Sequence, residues 1–169
     1  TGTDTLVLTA AATVTDAQLV NVSGVEAIQA SSLTGNSITL GTTAQAGGVL
    51  SLFGGASSDV LSAAGMSSGN IWIQGDGVGS SATLGDTLVA GTGTSRATLF
   101  GNNNANTALS ANYFRISSAS LLGNNSIVGG ASSIDYLQIT DNQQTLTDSS
   151  FSQVSGLDGI ILDDPNNFG

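Results

Sequence analysis

Carboxylates are the only abundant groups in this sequence that could hold an ion or move a proton. The 169 residues carry twelve Asp and Glu side chains against two cations, Arg96 and Arg115, with no His, Cys or Lys. Seven Asp, Asn or Glu residues share one setting, with apolar side chains two and four positions later: Asp4, Glu26, Asp59, Asp86, Asn112, Asp135 and Asp158. The steps between them are 22, 33, 27, 26, 23 and 23. Carboxylates in such a series could serve a hard cation, which needs about six to eight oxygen ligands. A close pair could instead flank a glycosidic bond as acid and base. The pairs available are Asp76 with Asp86, and Asp163 with Asp164.

Neither pair is well placed for catalysis. Asp76 lies in Gly75-Asp76-Gly77-Val78-Gly79, which is a turn first and which lacks the Lys and following helix of a phosphate loop. Asp163-Asp164-Pro165 stands near the last residue, a poor place for an enclosed cleft. Serine and threonine are plentiful, but no imidazole or amine is present to activate them. Aromatics that could stack on a sugar are few: Trp72, Tyr113 and Tyr136. The expectation is a protein without catalytic activity.

The charge balance removes other partners. A net charge of −10 with two arginines cannot neutralise a run of phosphates, which excludes nucleic acid, and it gives no attraction to anionic lipid. Without His or Cys there is no zinc, haem or iron–sulfur site of the usual kind and no disulfide. No apolar run approaches the roughly 18 residues of a membrane helix, so no membrane insertion is expected. The sequence opens in strand-like residues without a charged-then-apolar leader, as a processed product or a piece of a longer chain would.

The elements that must position these carboxylates are strands. Apolar residues alternate over four to six positions in Thr5-Leu6-Val7-Leu8, Ser37-Ile38-Thr39-Leu40, Val49-Leu50-Ser51-Leu52-Phe53, Asn70-Ile71-Trp72-Ile73, Tyr113-Phe114-Arg115-Ile116 and Tyr136-Leu137-Gln138-Ile139. Gly, Asn, Ser and Thr interrupt them, which is the period-two signature of strands between turns. One helical turn is expected at Thr15 to Leu19, where Thr-Asp can cap.

The sequence also repeats itself. Asp16 to Ile28 aligns without a gap on Asp148 to Ile160, with Asp, Val, Ser, Gly and Ile identical, and Asp4-Thr5-Leu6 matches Asp135-Tyr136-Leu137 at an offset one position shorter. Residues 1–134 therefore form one unit of about 132 residues, and 135–169 begin a second within the same continuous domain. The steps between the Asx and Glu positions suit the coils of an all-β solenoid, a parallel β-helix or β-roll; a β-sandwich is the alternative. The long step from Glu26 to Asp59 implies an inserted corner near residues 30 to 48. Stacked coils would bring Asp59 and Asp86 together, although each carboxylate could instead accept bonds from its own turn. Asn102, Asn103, Asn104, Asn106, Asn124 and Asn125 would suit an asparagine ladder at stacked corners, and Arg96 and Arg115 an ion pair between coils or subunits.

Four segments resemble the calcium-binding nonapeptide of RTX proteins: Gly54-Gly55-Ala56-Ser57-Ser58-Asp59-Val60-Leu61, Leu84-Gly85-Asp86-Thr87-Leu88, Gly129-Gly130 through Asp135-Tyr136-Leu137, and Gly2-Thr3-Asp4-Thr5-Leu6. Val22-Ser23-Gly24-Val25-Glu26-Ala27-Ile28 is similar to a phrase of RTX-like bacterial surface and S-layer proteins. The resemblance implies type I secretion, an extracellular or cell-surface location, a β-roll or β-helix, and calcium at Asp4, Asp59, Asp86 and Asp135. The sequence departs from the family in spacing, because these four Asp-x-Leu elements are widely separated and never fall in tandem. The expectation is a structural module of a large surface protein, filament or S-layer that associates with itself head to tail or with further repeats. An adhesive or glycan-binding module, with Trp72 beside Tyr113 in adjacent coils, is the first rival. A polysaccharide-degrading β-helix is the second.

Overall fold

The computed structural model describes residues 2–31, 35–76, 84–93, 95–101, 111–123, 125–130, 134–141 and 145–162. Its strands, in chain order, are β1 (Thr5–Val7), β2 (Thr13–Val14), β3 (Ala27–Gln29), β4 (Ser37–Gly41), β5 (Ser51–Phe53), β6 (Val60–Gly65) and β7 (Asn70–Gln74). They continue as β8 (Thr87–Val89), β9 (Arg96–Phe100), β10 (Ala111–Ile116), β11 (Ser126–Val128), β12 (Ile134–Ile139), β13 (Val154–Ser155) and β14 (Gly159–Leu162). The odd-numbered strands form one seven-stranded sheet and the even-numbered strands a second, each in sequence order. Every strand pairs in parallel with the one two along, so the chain crosses from sheet to sheet at each step. This connectivity is consistent with a β-helix or β-roll. Paired residues stand 21 to 28 positions apart, from Ser51–Trp72 to Thr98–Ser126.

The alternation read in the sequence becomes two apolar ladders. In the first sheet Leu6, Ile28, Leu52, Ile73, Leu99, Ile127 and Val154 lie in register. In the second, Val14, Ile38, Leu61, Leu88, Phe114, Leu137 and Ile160 do the same. From Ile28 to Ile127 and from Ile38 to Leu137 these side chains are fully buried. They form the core between the sheets, where each fully buried aliphatic or Phe side chain contributes about 1.5–3 kcal/mol. Among the described residues the last strand of each sheet has no further neighbour. Ile160 and Leu162 continue the inward row of β14 and are 52% and 69% exposed.

Two features differ from the sequence reading. The long step between Glu26 and Asp59 is not a lengthened coil. Asp4 and Glu26 precede strands of the first sheet, whereas Asp59 precedes a strand of the second. Asn36, just before β4, is the true neighbour of Asp59 one step along the second sheet, so the long step marks a change of sheet and no inserted corner is seen among the described residues near 30 to 48. That region instead holds β4 and a short helix, α1 (Thr42–Gly47), whose Gly41, Thr43 and Ala44 N–H groups are accepted by the Asp16 carboxylate of the preceding coil at 2.8, 3.0 and 2.8 Å. A second helix, α2 (Ser118–Leu121), receives Asp141 from the following coil in the same way, through Ser118 N–H at 2.8 Å.

The turn expected at Thr15 to Leu19 is present as a 3-10 helix at Asp16–Leu19, closed by Thr15 N–H donating to Gln18 Oε1 at 2.7 Å. Its repeat partner, Asp148–Phe151, is also a 3-10 helix, and Gly24 and Gly156 in the two copies share φ of +68°. The copies occupy opposite sheets, however: Ile28 lies in β3 and Ile160 in β14. The repeat therefore spans eleven strand steps, from β1 to β12 or from β3 to β14, which is five and a half coils.

Candidate functional site

The acidic residues meet where the chain leaves the first sheet for the second. From β5 onward the first-sheet strands are followed by Gly54, Gly75, Gly101, Gly129 and Gly156; Asp59, Asp86 and Asp158 stand directly before second-sheet strands, and Asn112 and Asp135 are the second residues of β10 and β12. Glycine is required here because the coils approach backbone to backbone. A Cβ on Gly54 would collide with the Gly75 carbonyl, and one on Gly75 would lie 2.5 Å from Asp86 Oδ2. Removing the side chains at this corner lets the carboxylates pack inward. Asn36, Asp59, Asp86, Asn112 and Asp135 are all at most 3% exposed.

Backbone N–H groups of each coil donate to the column residue of the next. Asn36 N–H donates to Asp59 Oδ1 at 2.6 Å, Asp59 N–H to Asp86 Oδ1 at 2.7 Å, and Asp86 N–H to Asn112 Oδ1 at 2.8 Å. Asp135 N–H donates to Asp158 Oδ2 at 2.9 Å. Side-chain amides tighten the column, with Asn36 Nδ2 on Asp59 Oδ1 at 2.8 Å and Asn112 Nδ2 on Asp135 Oδ1 at 2.9 Å. Asp59 Oδ2 and Asp135 Oδ2 also take Gly55 and Gly130 N–H at 2.6 and 2.7 Å. Amide neighbours separate some of the carboxylates and supply donors, which is how buried anions are tolerated.

One place in the column is unsatisfied. Asp76, 2% exposed, packs into the corner beside Asp59 and Asp86, and its Oδ1 and Asp86 Oδ2 have no hydrogen-bond partner among the described residues. Burial, reinforced by the Asp59 charge, pushes the Asp76 carboxyl up to about 7. Burial pushes Asp86 up to about 8, against the bond from Asp59 N–H and with the charges of Asp76 and Asp59 adding to the rise. The two carboxyls that could have served a glycosidase are therefore enclosed at a packed corner rather than exposed in a cleft.

The four expected calcium ligands divide. Asp59, Asp86 and Asp135 share the column; Asp4 is exposed at the first sheet, where its N–H donates to Glu26 Oε2 at 2.8 Å. Among the described residues no group of three or more Asp, Glu, His or Cys is arranged to hold a metal. Sequence reasoning misses Asn36 as a column member, although Asn36-Ser37-Ile38-Thr39-Leu40 fits the same spacing. Asn125 does bind between coils, through Ala97 N–H at 2.5 Å. Asn102, Asn103, Asn104, Asn106, Asn124, Asp163 and Asp164 lie outside the described residues.

The aromatic pair expected on one face is split. Trp72 points outward from β7 in the first sheet and Tyr113 from β10 in the second. Each has a different partner: Trp72 tilts against Phe100 at 5.8 Å, and Tyr113 stacks on Tyr136 at 5.8 Å. Arg96 and Arg115 lie on these same outer faces and form no ion pair among the described residues; Arg115 Nε is unpartnered.

Fold and site together define an all-β stack of parallel strands locked along one corner by a carboxylate–amide column. No family model matches the chain, and no match was found among curated proteins or solved structures. Among the described residues no helix is long and apolar enough to cross a membrane.

Proposed function

We propose that this chain is a non-catalytic structural module, a β-solenoid with one strand of each sheet per coil, built to extend end to end within a large secreted or cell-surface protein, filament or S-layer. The observation that carries this reading is the open last coil. Ile160 and Leu162 belong to the core ladder by register yet stand exposed, beside a groove of about 420 Å³ that Phe151, Val154 and Leu157 also line. A further coil stacked there would bury them as Leu137 and Ile139 are buried. Asp148 supports the same reading. It repeats Asp16, which caps the helix of the next coil, but it is exposed in the last described coil. A further unit would begin half a coil out of phase and so turn its faces over.

The resemblance to RTX-like and S-layer repeat proteins, and with it secretion, belongs to this proposal. Calcium would need about six to eight oxygens, and the column offers it two unpartnered side-chain oxygens, both at one place. Asp59 and Asp135 already use both oxygens on N–H donors, whereas Asp76 Oδ1 and Asp86 Oδ2 are free to take a cation that would relieve their repulsion. Sedimentation of the purified chain over a range of concentrations tests the extension. Association that grows with concentration and is abolished by Ile160→Asp is expected; a monomer at every concentration would overturn it.

A further inference from the structure

The outer face of the first sheet carries a group of side chains that neither stacking nor core packing explains. Asn70 pairs with Arg96, Trp72 with Thr98 and Gln74 with Phe100 across β7 and β9, so all six project from one side of two neighbouring strands. Trp72 is 40% exposed and leans on Phe100. Beside Trp72 and Arg96 runs a groove of about 410 Å³, lined also by Leu50, Asn70, Ile71, Ala97 and Thr98. The outer face of the second sheet carries a different aromatic group, Tyr113 stacked on Tyr136 beside Arg115. Arg96 is one of two cations in a chain of net charge −10. It lies exposed at this groove with no ion pair among the described residues, although the chain has twelve carboxylates to offer.

We propose that this groove binds a short oligosaccharide bearing a sugar carboxylate, of the uronic acid class. Trp72 presents a flat apolar face suited to the C–H face of a pyranose, and a polar rim beside an aromatic is the usual composition of an orienting site. Arg96 offers a planar fork of donors that matches a carboxylate in two parallel hydrogen bonds. Asn70 and Thr98 offer both donors and acceptors to ring hydroxyls. Arg96 stands diagonally from Trp72, one strand across and two residues along, about 8 Å between backbones, so guanidinium and indole can take the carboxylate and the ring of the same or an adjoining sugar. The surrounding negative charge does not forbid this. It is screened beyond about 8 Å at physiological salt, and it favours a ligand with one or a few carboxylates over a dense polyanion. A neutral glucan would leave Arg96 unused, and an acidic peptide strand would seek an open sheet edge rather than the aromatic face.

Trp72 is the only tryptophan, so its fluorescence reports on this groove alone. Titration with trigalacturonate should shift or quench that emission, and calorimetry should return a saturable heat. The methyl-esterified trimer, which keeps the shape and loses the charge, should bind at least tenfold more weakly. Arg96→Gln should reproduce that loss for the acid form and leave the ester unchanged. Trp72→Ala should abolish the heat with both, while Tyr113→Ala, on the opposite sheet, should leave it intact. Thermal melts of each variant separate loss of binding from loss of fold. No response to millimolar trigalacturonate, equal binding of acid and ester, or an Arg96→Gln protein that binds like the parent would each overturn the proposal.

Discussion

Asp59 and Asp76 occupy the same corner with opposite consequences for stability. Asp59 accepts Asn36 N–H, Asn36 Nδ2 and Gly55 N–H within 2.8 Å, so Asp59→Ala removes three buried bonds, two of them from backbone N–H groups. Each backbone donor left unmet costs about 1–3 kcal/mol, and a loss of at least about 2 kcal/mol is expected in chemical unfolding. Asp76 and Asp86 act the other way. Their folded values of about 7 and about 8 lie above the ordinary 3.8, so between these limits the folded chain holds protons that the unfolded chain releases. Their contribution is fully favourable below 3.8 and is lost as pH rises through about 7 to 8. Asp76→Asn should therefore raise Tm above pH 8 and change it little below pH 4, measured against the parent at both. Millimolar calcium should raise the parent's Tm above pH 8, and this gain should vanish in Asp76→Asn. An equal gain in both would place any calcium elsewhere. Asp16 has the ordinary sign. Burial works against its ionisation, but bonds from Ala44, Thr43 and Gly41 hold it below 3.8, so its contribution is present above 3.8 and lost as pH falls through that lower value.

At the scale of elements, the sequence is most informative where one residue type has one physical reason to recur. The alternating Leu, Ile and Phe positions read as strands because only an in-register stack buries them, and β4, β7, β10 and β12 appear where that pattern stands. The buried column is visible as Asx followed by two apolar positions, because the residue entering a strand must answer the N–H of the coil before it. Sheet membership is not visible. Strands of both sheets share the same local pattern, so spacing alone sets Glu26 of one beside Asp59 of the other, and pairs Trp72 with Tyr113 across the core. The helix α1 is hidden for another reason: its cap, Asp16, lies 25 residues upstream of Gly41 rather than at its start. The glycines carry more than turn propensity. Gly75→Ala would drive a Cβ to 2.5 Å from Asp86 Oδ2 and 3.2 Å from the Gly101 carbonyl. A loss of about 2–3 kcal/mol is expected from this overpacking, read as a lower denaturant midpoint, whereas Gly2→Ala, with open space around it, should change nothing.

On the proposed solenoid reading, the last described strands, β13 and β14, are a surface on which a further coil would stack. A solenoid's stability is a sum of coil-to-coil contacts, so on this reading the ladders would gain by adding neighbours at either end. The repeat of five and a half coils matches this, because each further unit would continue both ladders while exchanging which sheet carries which strand. Any face-borne site, such as the groove at Trp72, would then alternate sides along an assembly. Electron microscopy with fibre diffraction of the concentrated chain addresses end-to-end extension most directly. The account predicts thin rods of one width whose strands lie across the axis, with a reflection near ~4.8 Å along it, and their loss in Ile160→Asp. Isolated particles at every concentration, or sheets joined side by side that survive Ile160→Asp, would contradict it.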